Sequence, residues 1–436
     1  MFKKTINILC LFFTFHGTAF AKKDNSVVIA CGSVGEEFIH CKKGVEAWEK
    51  ITGNSAKFIS IPSTSNDRLA VVQQLLASGL DSIDVLQIDT IWPGILANHL
   101  LDLTEKVDRN IIDLHFKEMI DNNKINEKLV ALPWFTDIGL LYYRKDLLEK
   151  YKMKVPETWQ QMGLTALQIQ QKERQLGQKD FWGFIFQGRA YEGLTCNALE
   201  WIASFGGGKI IDPVGMITVN NPQANNALRM IGSWIDNISP KGVLNYSEEE
   251  GRGIFQSGKA MFMRNWPYAW SLLQSEGSSV KDKVGVTLLP SGQNNLRGST
   301  LGGSQLSISK YSKRKDLALD LVLFLTSKNE QRRRAIEGSF APTIYSLYED
   351  KEVIKMNSYF SILKEGLKTA ISRPSNITKM KYNQVSSAIW NAVHSSLSKP
   401  TETSIQLAGL ERRLTRISKN STWDQSKKTH DIKNQK

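Results

Sequence analysis

Short apolar runs alternate with longer stretches of helical spacing through most of the chain. Val27–Ala30 is rich in β-branched residues and predicts a strand, and apolar positions then recur at helical intervals from about Gly35 to Lys50. Lys57–Ile61 predicts a second strand, followed by a helix from Asn66 to about Ser78. That helix opens on Thr64-Ser65-Asn66-Asp67, which resembles a capping box, where a hydroxyl and an acidic side chain satisfy the first free N–H groups. A third strand, Asp84–Ile88, ends at Asp89 and runs into Thr90-Ile91-Trp92-Pro93. Strands spaced by amphipathic helices call for right-handed crossovers, so the pattern predicts an α/β fold with a parallel sheet covered on both faces.

Farther along, Gly139–Tyr143 predicts a strand, and Pro156-Glu157-Thr158-Trp159 a turn with Thr158 as the N-cap of a long Gln-rich helix. Asn221-Pro222 starts another helix with proline at its first position. Ala260–Arg264 and Val284–Leu289 predict strands, Leu301-Gly302-Gly303 a tight backbone approach, and Lys313–Thr326 a helix. After Pro342 helical spacing returns in patches, among them Lys381–Leu397 and Ser404–Ile417, while Asn420–Lys436 is polar, Lys-rich and expected to fray. There is no internal repeat, and no Pro/Ser-rich linker divides the halves. Two domains joined by several chain crossings are therefore expected, not two joined by one tether.

The 436 residues are 41% hydrophobic and 23% charged, enough apolar material to exclude disorder over the chain and enough length for two ordinary domains. The N-terminus differs from the rest. Lys3 and Lys4 precede the mostly apolar run Ile6–Phe15, and Ala19-Phe20-Ala21 has the small-residue spacing of a cleavage site. Met1–Ala21 is thus expected to be an export signal removed after Ala21. Cys10 lies inside the apolar run, which argues against lipid attachment at the cleavage site. Beyond this segment no uncharged apolar run reaches the roughly 18 residues of a membrane span; Leu317–Leu325 is short and carries Asp320. Cys31, Cys41 and Cys196 remain. Export permits a Cys31–Cys41 disulfide, small buried hydrophobes are the competing reading, and both stay open. There is no CxxC pair, which removes a zinc ribbon.

In open α/β sheets ligands bind beyond the carboxyl ends of the strands. Those ends here hold Gly32-Ser33-Val34-Gly35-Glu36-Glu37, then Pro62-Ser63-Thr64-Ser65 with Arg68 just inside the helix, then Asp89 with Trp92. Carboxylates accept from vicinal hydroxyls, arginine donates in a fixed fork, and aromatic faces pack on C–H surfaces, so the set suits a polyhydroxylated ligand. Each residue also has a plainer use. Glu36 and Glu37 favour a helix N-terminus, Arg68 suits a solvated helix, and Trp92 suits a core. Trp134-Phe135-Thr136-Asp137 and Trp266-Pro267-Tyr268 with Trp270 form two further constellations, of which Trp266 is the stronger candidate for a ligand platform.

Searches for catalytic motifs are empty: no HExxH, GxSxG or P-loop, and no GxGxxG after a strand. Gly206-Gly207-Gly208-Lys209 lacks P-loop spacing and reads as a turn after a helix ending near Phe205. His40, His99, His115, His394 and His430 are scattered, which disfavours a metal site. A carboxylate pair for glycoside cleavage stays open, because sequence does not give the separation. Lys and Arg number 56 against 43 Asp and Glu, a net charge of +13. The lysines are spread along the chain and export opposes a nucleic-acid role, so the excess reads as solubility charge.

Several short segments, in order, carry a family resemblance. They are Asp84-Val85-Leu86-Gln87-Ile88-Asp89, Leu141-Tyr142-Tyr143-Arg144-Lys145-Asp146-Leu147, Pro156-Glu157-Thr158-Trp159, Phe255-Gln256-Ser257-Gly258-Lys259-Ala260-Met261-Phe262-Met263, and Trp266-Pro267-Tyr268. Each is weak alone; the set, spread from about Val27 to Ile417, resembles the extracellular solute-binding proteins of ABC sugar importers, on the maltose- and trehalose-binding branch. The resemblance implies a two-lobed periplasmic-binding-protein fold with a ligand cleft between the lobes. One lobe would span residues 22–135 and 290–340, the other 136–289 and 341–436, joined by two or three crossings.

It further implies that Asp89 and Asp137 grip sugar hydroxyls, that Phe135 lies near the sugar and Trp266 stacks on it, and that Arg68 and Arg373 reach it from the first and second lobes. Gly302 and Gly303 correspond to close-approach backbone. Ser304 departs from the pattern, standing where relatives often have tryptophan. With Glu36, Glu37, Ser63, Thr64 and Tyr268 these are the candidate ligand residues. The implied protein is a periplasmic monomer that binds a neutral disaccharide such as trehalose or maltose and hands it to a membrane permease. It would use no cofactor or metal, catalyse nothing and bind no nucleic acid. Two alternatives stand beside it: a secreted glycoside-acting enzyme using two of Glu36, Glu37, Asp89 and Asp137, and a binder of another solute such as glycerol phosphate or a peptide.

Overall fold

A computed structural model describes residues 25–32, 35–62, 64–421 and 423–424. The expected leader Met1–Ala21, the candidate Ser63 and the tail beyond 424 lie outside the described residues. Eleven strands run through the described residues: β1 Ser26–Ala30, β2 Ser55–Phe58, β3 Val85–Asp89, β4 Lys124–Ile125, β5 Lys128–Leu129, β6 Leu132–Ile138, β7 Leu140–Arg144, β8 Trp182–Ile185, β9 Ala260–Asn265, β10 Val284–Leu288 and β11 Leu301–Ile308. They form a five-stranded sheet in the order β2-β1-β3-β11-β6, a four-stranded sheet in the order β10-β7-β9-β8, and the small hairpin β4-β5.

In the first sheet β1 runs parallel to β2 and β3, as the strand–helix alternation predicts, but β11 lies antiparallel to both β3 and β6. The expected all-parallel sheet is therefore mixed. β11 follows β10 of the other sheet with no crossover helix between them, so nothing obliges it to run parallel. The second sheet is mixed too, antiparallel across β10, β7 and β9 and parallel across β9 and β8.

Alternation along the strands sets two cores on the first sheet. Val27, Ile29 and Val85 pack with Trp48, Leu321 and Leu325 from helices Gly35–Thr52 and Lys315–Leu325. Ala30, Leu86 and Ile88 face the other way onto Leu69, Val72 and Leu76 of helix Ser65–Ala77. In the second sheet, Leu141, Phe184 and Phe262 meet helices Trp159–Gln175, Glu192–Ser204, Pro222–Trp234 and Tyr382–Ser398. Leu140, Tyr142 and Met263 lie on the opposite face with Phe360 and Leu363.

Local end signals act where the sequence places them. Thr64 caps its helix by accepting from Asp67 N at 3.4 Å, and its hydroxyl donates to the Asp67 carboxylate at 2.7 Å. Thr158 and Asn221 cap theirs, accepting from Gln161 N and Ala224 N. The glycines after Phe205 form a turn, with Gly206 and Gly208 at positive φ. Cys31 and Cys41 are bridged, which closes that open question, and Cys196 is free and buried. The fraying expected from Asn420 onward is corrected for the described part: Trp423 is 1% exposed and joins the second sheet's helical core, so its apolar area holds this stretch down. No helix of the described residues is long and apolar enough to cross a membrane.

The chain passes from one sheet to the other at Gly139, between β6 and β7, and returns between β10 and β11. Helix Lys328–Gly338 packs on helix Gly35–Thr52, whereas helix Phe360–Leu367 packs on β10. Helix Phe360–Leu367 also touches β6, so it contacts both sheets.

Candidate functional site

A cavity of about 340 Å3 lies between the two sheets, within the size range of small-molecule sites. Its first wall is built at the carboxyl ends of β1 and β3. The helix that starts at Gly35 brings Glu36 and Glu37 into its first turn. Arg68 donates from Nη2 to Glu37 Oε2 at 3.3 Å and from Nε to the Pro62 carbonyl at 3.2 Å. Glu36 pairs with His40 at 3.1 Å, and that hydrogen bond holds its carboxyl below the usual range. Asp89 ends β3, accepting from Ser65 Oγ at 3.0 Å and from Ile91 N at 3.2 Å.

β6 and β11 form the back of the cavity. Phe135 and Asp137, two residues apart on one strand, point the same way. They pair with Ser304 and Gly302 respectively. Gly303 has φ 118°, and a Cβ there would fall 2.3 Å from the Phe135 carbonyl oxygen, so no side chain fits. A Cβ on Gly302 would stand 3.1 Å from the Trp266 ring. The two glycines let the strand and the indole close on each other.

The second wall comes from the other sheet. Trp266 follows β9 directly; its ring lies 3.8 Å from the Arg264 guanidinium, and its Nε1 donates to Glu248 Oε1 at 3.3 Å. Arg264 is itself held by Glu200, with both side chains almost wholly buried. Tyr191 donates to Glu248 Oε2 at 2.7 Å and Tyr268 to Glu249 Oε1 at 2.6 Å. Arg252 pairs with Glu249 at 2.6 Å. Arg373 joins the walls, donating to Asp89 at 3.0 Å and to Glu192 at 2.9 Å. Glu192 also accepts from Tyr382 at 2.5 Å and Ser386 at 2.7 Å.

Charge in this space is lopsided. The carboxyl groups of Glu36, Glu37, Asp89, Asp137, Glu192, Glu248 and Glu249 border the cavity, against the guanidinium groups of Arg68, Arg252 and Arg373. Each of those arginines already has a carboxylate partner. Burial pushes the Asp137 carboxyl well above the carboxylate range, and the negative charges of Glu37 and Asp89 push it further. Burial likewise raises Glu192, against the opposing effect of Arg373.

All the sequence candidates border this cavity except Ser63, which lies outside the described residues: Glu36, Glu37, Thr64, Arg68, Asp89, Phe135, Asp137, Trp266, Tyr268, Gly302, Gly303 and Arg373. Trp92, weighed as core, is both 1% exposed and at the cavity edge, and Ser304 stands in the wall. Tyr191, Glu192, Glu248, Glu249, Arg252 and Phe340, which are not among the sequence candidates, also belong to the wall. Ser247-Glu248-Glu249-Glu250 did carry a signal, because Ser247 and Glu250 make a capping box that places the intervening acids at a helix start. Nothing local marks Tyr191 or Phe340. Among the described residues no group of three or more His, Cys, Asp and Glu side chains is placed to hold a metal ion.

The sequence profile of the bacterial extracellular solute-binding protein family matches residues 42–332. A "probable ABC transporter-binding protein" of Deinococcus radiodurans is 47% identical over 393 residues, covering 90% of this chain and 93% of the relative. The maltose-bound MalE3 of T. maritima is 37% identical, with a TM-score of 0.84 over 89% of this chain and 98% of that one. The GacH receptor of Streptomyces glaucescens, solved unliganded and with acarbose, shares the fold at 22% identity, with a TM-score of 0.79 over 91% of this chain and 99% of its own.

Proposed function

We propose, from the premise that this chain belongs to the family of bacterial extracellular solute-binding proteins, that its cavity takes up a neutral sugar, a disaccharide such as trehalose or maltose, and that the loaded protein delivers it to the permease of an ABC importer. One observation carries the reading: carboxylates, an indole and already-paired arginines from two opposed sheets converge on a single cavity. Sugar hydroxyls donate to carboxylates and accept from arginine, and C–H faces pack on an aromatic ring. The maltose carried by the 37%-identical MalE3 supports the same ligand class.

The pairing of the arginines argues against an anionic solute such as glycerol phosphate. Such a ligand would have to displace Glu37, Asp89 or Glu249 from its cation while also facing Glu248, whose two oxygens already accept from Trp266 and Tyr191. We take the lobes as residues 22–135 with 290–340 and 136–289 with 341–436, except that residues 136–138 stay with the first lobe as the end of β6, and the lobes move about the crossing segments. Closure exchanges sugar–water hydrogen bonds for convergent protein ones, and only contacts made in the closed form favour it. The protein acts in the periplasm as a monomer after removal of its leader, and it leaves the sugar intact. Thermal melts against a panel of disaccharides, followed by assay of the mixtures for free glucose, test this. A raised melting temperature with undegraded sugar is expected. Glucose release points instead to the glycoside-acting alternative, and a panel without any shift removes the sugar reading.

A further inference from the structure

We propose that Gln87, a buried side chain that does not line the cavity, is a positioning residue that sets the donor and acceptor pattern of the cavity wall through Glu37 and Ser304; the ligand part of this inference rests on the saccharide reading above. Gln87 lies within β3 and is 0% exposed. On the same face of β3, Val85 sits in an apolar core with Val27, Ile29 and Leu306. A primary amide there is costly unless its polar groups are satisfied. They are. Its Oε1 accepts from Gly32 N at 2.7 Å, and its Nε2 donates to Glu37 Oε2 at 3.1 Å and to Ser304 Oγ at 2.9 Å.

The partners leave the amide one orientation. The Gly32 N–H can only donate, and Glu37 Oε2 accepts from Arg68 as well, so the amide oxygen faces the first and the nitrogen the second. Two consequences reach the cavity. Ser304 Oγ is used as an acceptor by Gln87, and no described residue takes the Ser304 proton, so the hydroxyl is available to donate into the cavity it borders. Glu37 Oε2 is shared between Gln87 and Arg68, which leaves Oε1 to accept. A donor and an acceptor thus stand side by side, both anchored on one nitrogen. That pair matches two neighbouring hydroxyls, one accepting from Ser304 and one donating to Glu37. Gln87 also ties the end of β1 to the helix bearing Glu37, next to the Cys31–Cys41 bridge.

The test uses the full mature protein with Gln87→Leu, Gln87→Glu and Ser304→Ala, titrated with maltose, trehalose and their monodeoxy derivatives. Ser304→Ala is expected to weaken the preferred disaccharide about ten-fold. One monodeoxy sugar that the wild type binds about ten-fold more weakly than its parent should be bound by Ser304→Ala as well as the parent is. Gln87→Leu should reproduce that loss of discrimination although it touches no ligand, and Gln87→Glu, which lacks the donors, should do the same. Discrimination kept in Gln87→Leu, or losses that simply multiply when it is combined with Ser304→Ala, overturns the proposal. Where Gln87→Leu does not fold, the deoxy series on Gln87→Glu and Ser304→Ala decides. A readout free of sugar stands beside these. Hydrogen exchange at the Gly32 amide should quicken in Gln87→Leu and stay unchanged in Ser304→Ala, and unaltered exchange in the former overturns the clamp. If the wild type binds no saccharide, the proposed function fails and this exchange result alone judges Gln87.

Discussion

Arg373 donates to Asp89 at 3.0 Å, linking the end of β3 in the first sheet to a segment that packs with the helices of the second. Its other Nη holds Glu192 at 2.9 Å, so one guanidinium spans the two walls of the cavity. The arginine is 6% exposed, and so its charge is matched mainly by these two carboxylates. Replacing Asp89 with asparagine removes one of them along with the best acceptor on that rim. Truncating one partner of a desolvated charged pair costs about 2 kcal/mol or more. Asp89→Asn should therefore weaken sugar binding by roughly 30-fold, measured by calorimetry, and expand the unliganded protein in solution scattering.

Trp266 has its ring on Arg264 and its Nε1 on Glu248, so the indole is held before any ligand arrives. Tryptophan anchors at the centre of a binding site are worth about 2 kcal/mol or more. Trp266→Ala should lower affinity at least roughly 30-fold, while Trp266→Phe, which keeps a ring, should lose much less. Equal losses in the two variants would mean that the ring face is not used.

The Cys31–Cys41 bridge joins the end of β1 to the helix bearing Glu36 and Glu37. A disulfide closing a short loop of this kind stabilises by about 3 kcal/mol, mainly through the unfolded chain. Reduction, or the Cys31→Ser/Cys41→Ser double variant, should lower the melting temperature, and reductant should then have no further effect on the double variant.

His115 gives the stability a pH dependence. Burial lowers its pKa from 6.5 to about 4, its Nδ1 meets Thr343 Oγ1 at 2.7 Å, and its Nε2 is buried without a partner. Between those values the unfolded chain binds more protons than the folded one, so its contribution is full above 6.5 and is lost as pH falls toward 4. The loss amounts to about 3 kcal/mol. Denaturant melts of wild type and His115→Gln from pH 7 to pH 4 should converge as the pH drops, the wild type losing more.

What was legible in the sequence is what depends on neighbours along the chain. The caps at Thr64, Thr158 and Asn221 act through residues three positions away, and Asp89 closes a run of apolar strand residues. Gly302 and Gly303 announced a close approach that their partners, Trp266 and the Phe135 carbonyl, make real. The antiparallel insertion of β11 had no such trace, because strand direction is set by a return from the other sheet. Tyr191, Glu192 and Phe340 reach the cavity only through the packing of segments distant in sequence, and Trp423 shows how one buried indole holds in place a stretch whose composition suggested fraying.

The central claim is that this cavity binds an uncharged saccharide. Isothermal calorimetry of the unliganded wild type with maltose, trehalose and glycerol 3-phosphate tests it most directly. Saturable binding of at least one neutral disaccharide near micromolar affinity, about −8 kcal/mol, is expected, with none of the phosphate. Saturable binding of the phosphate with no heat from any neutral sugar would contradict it.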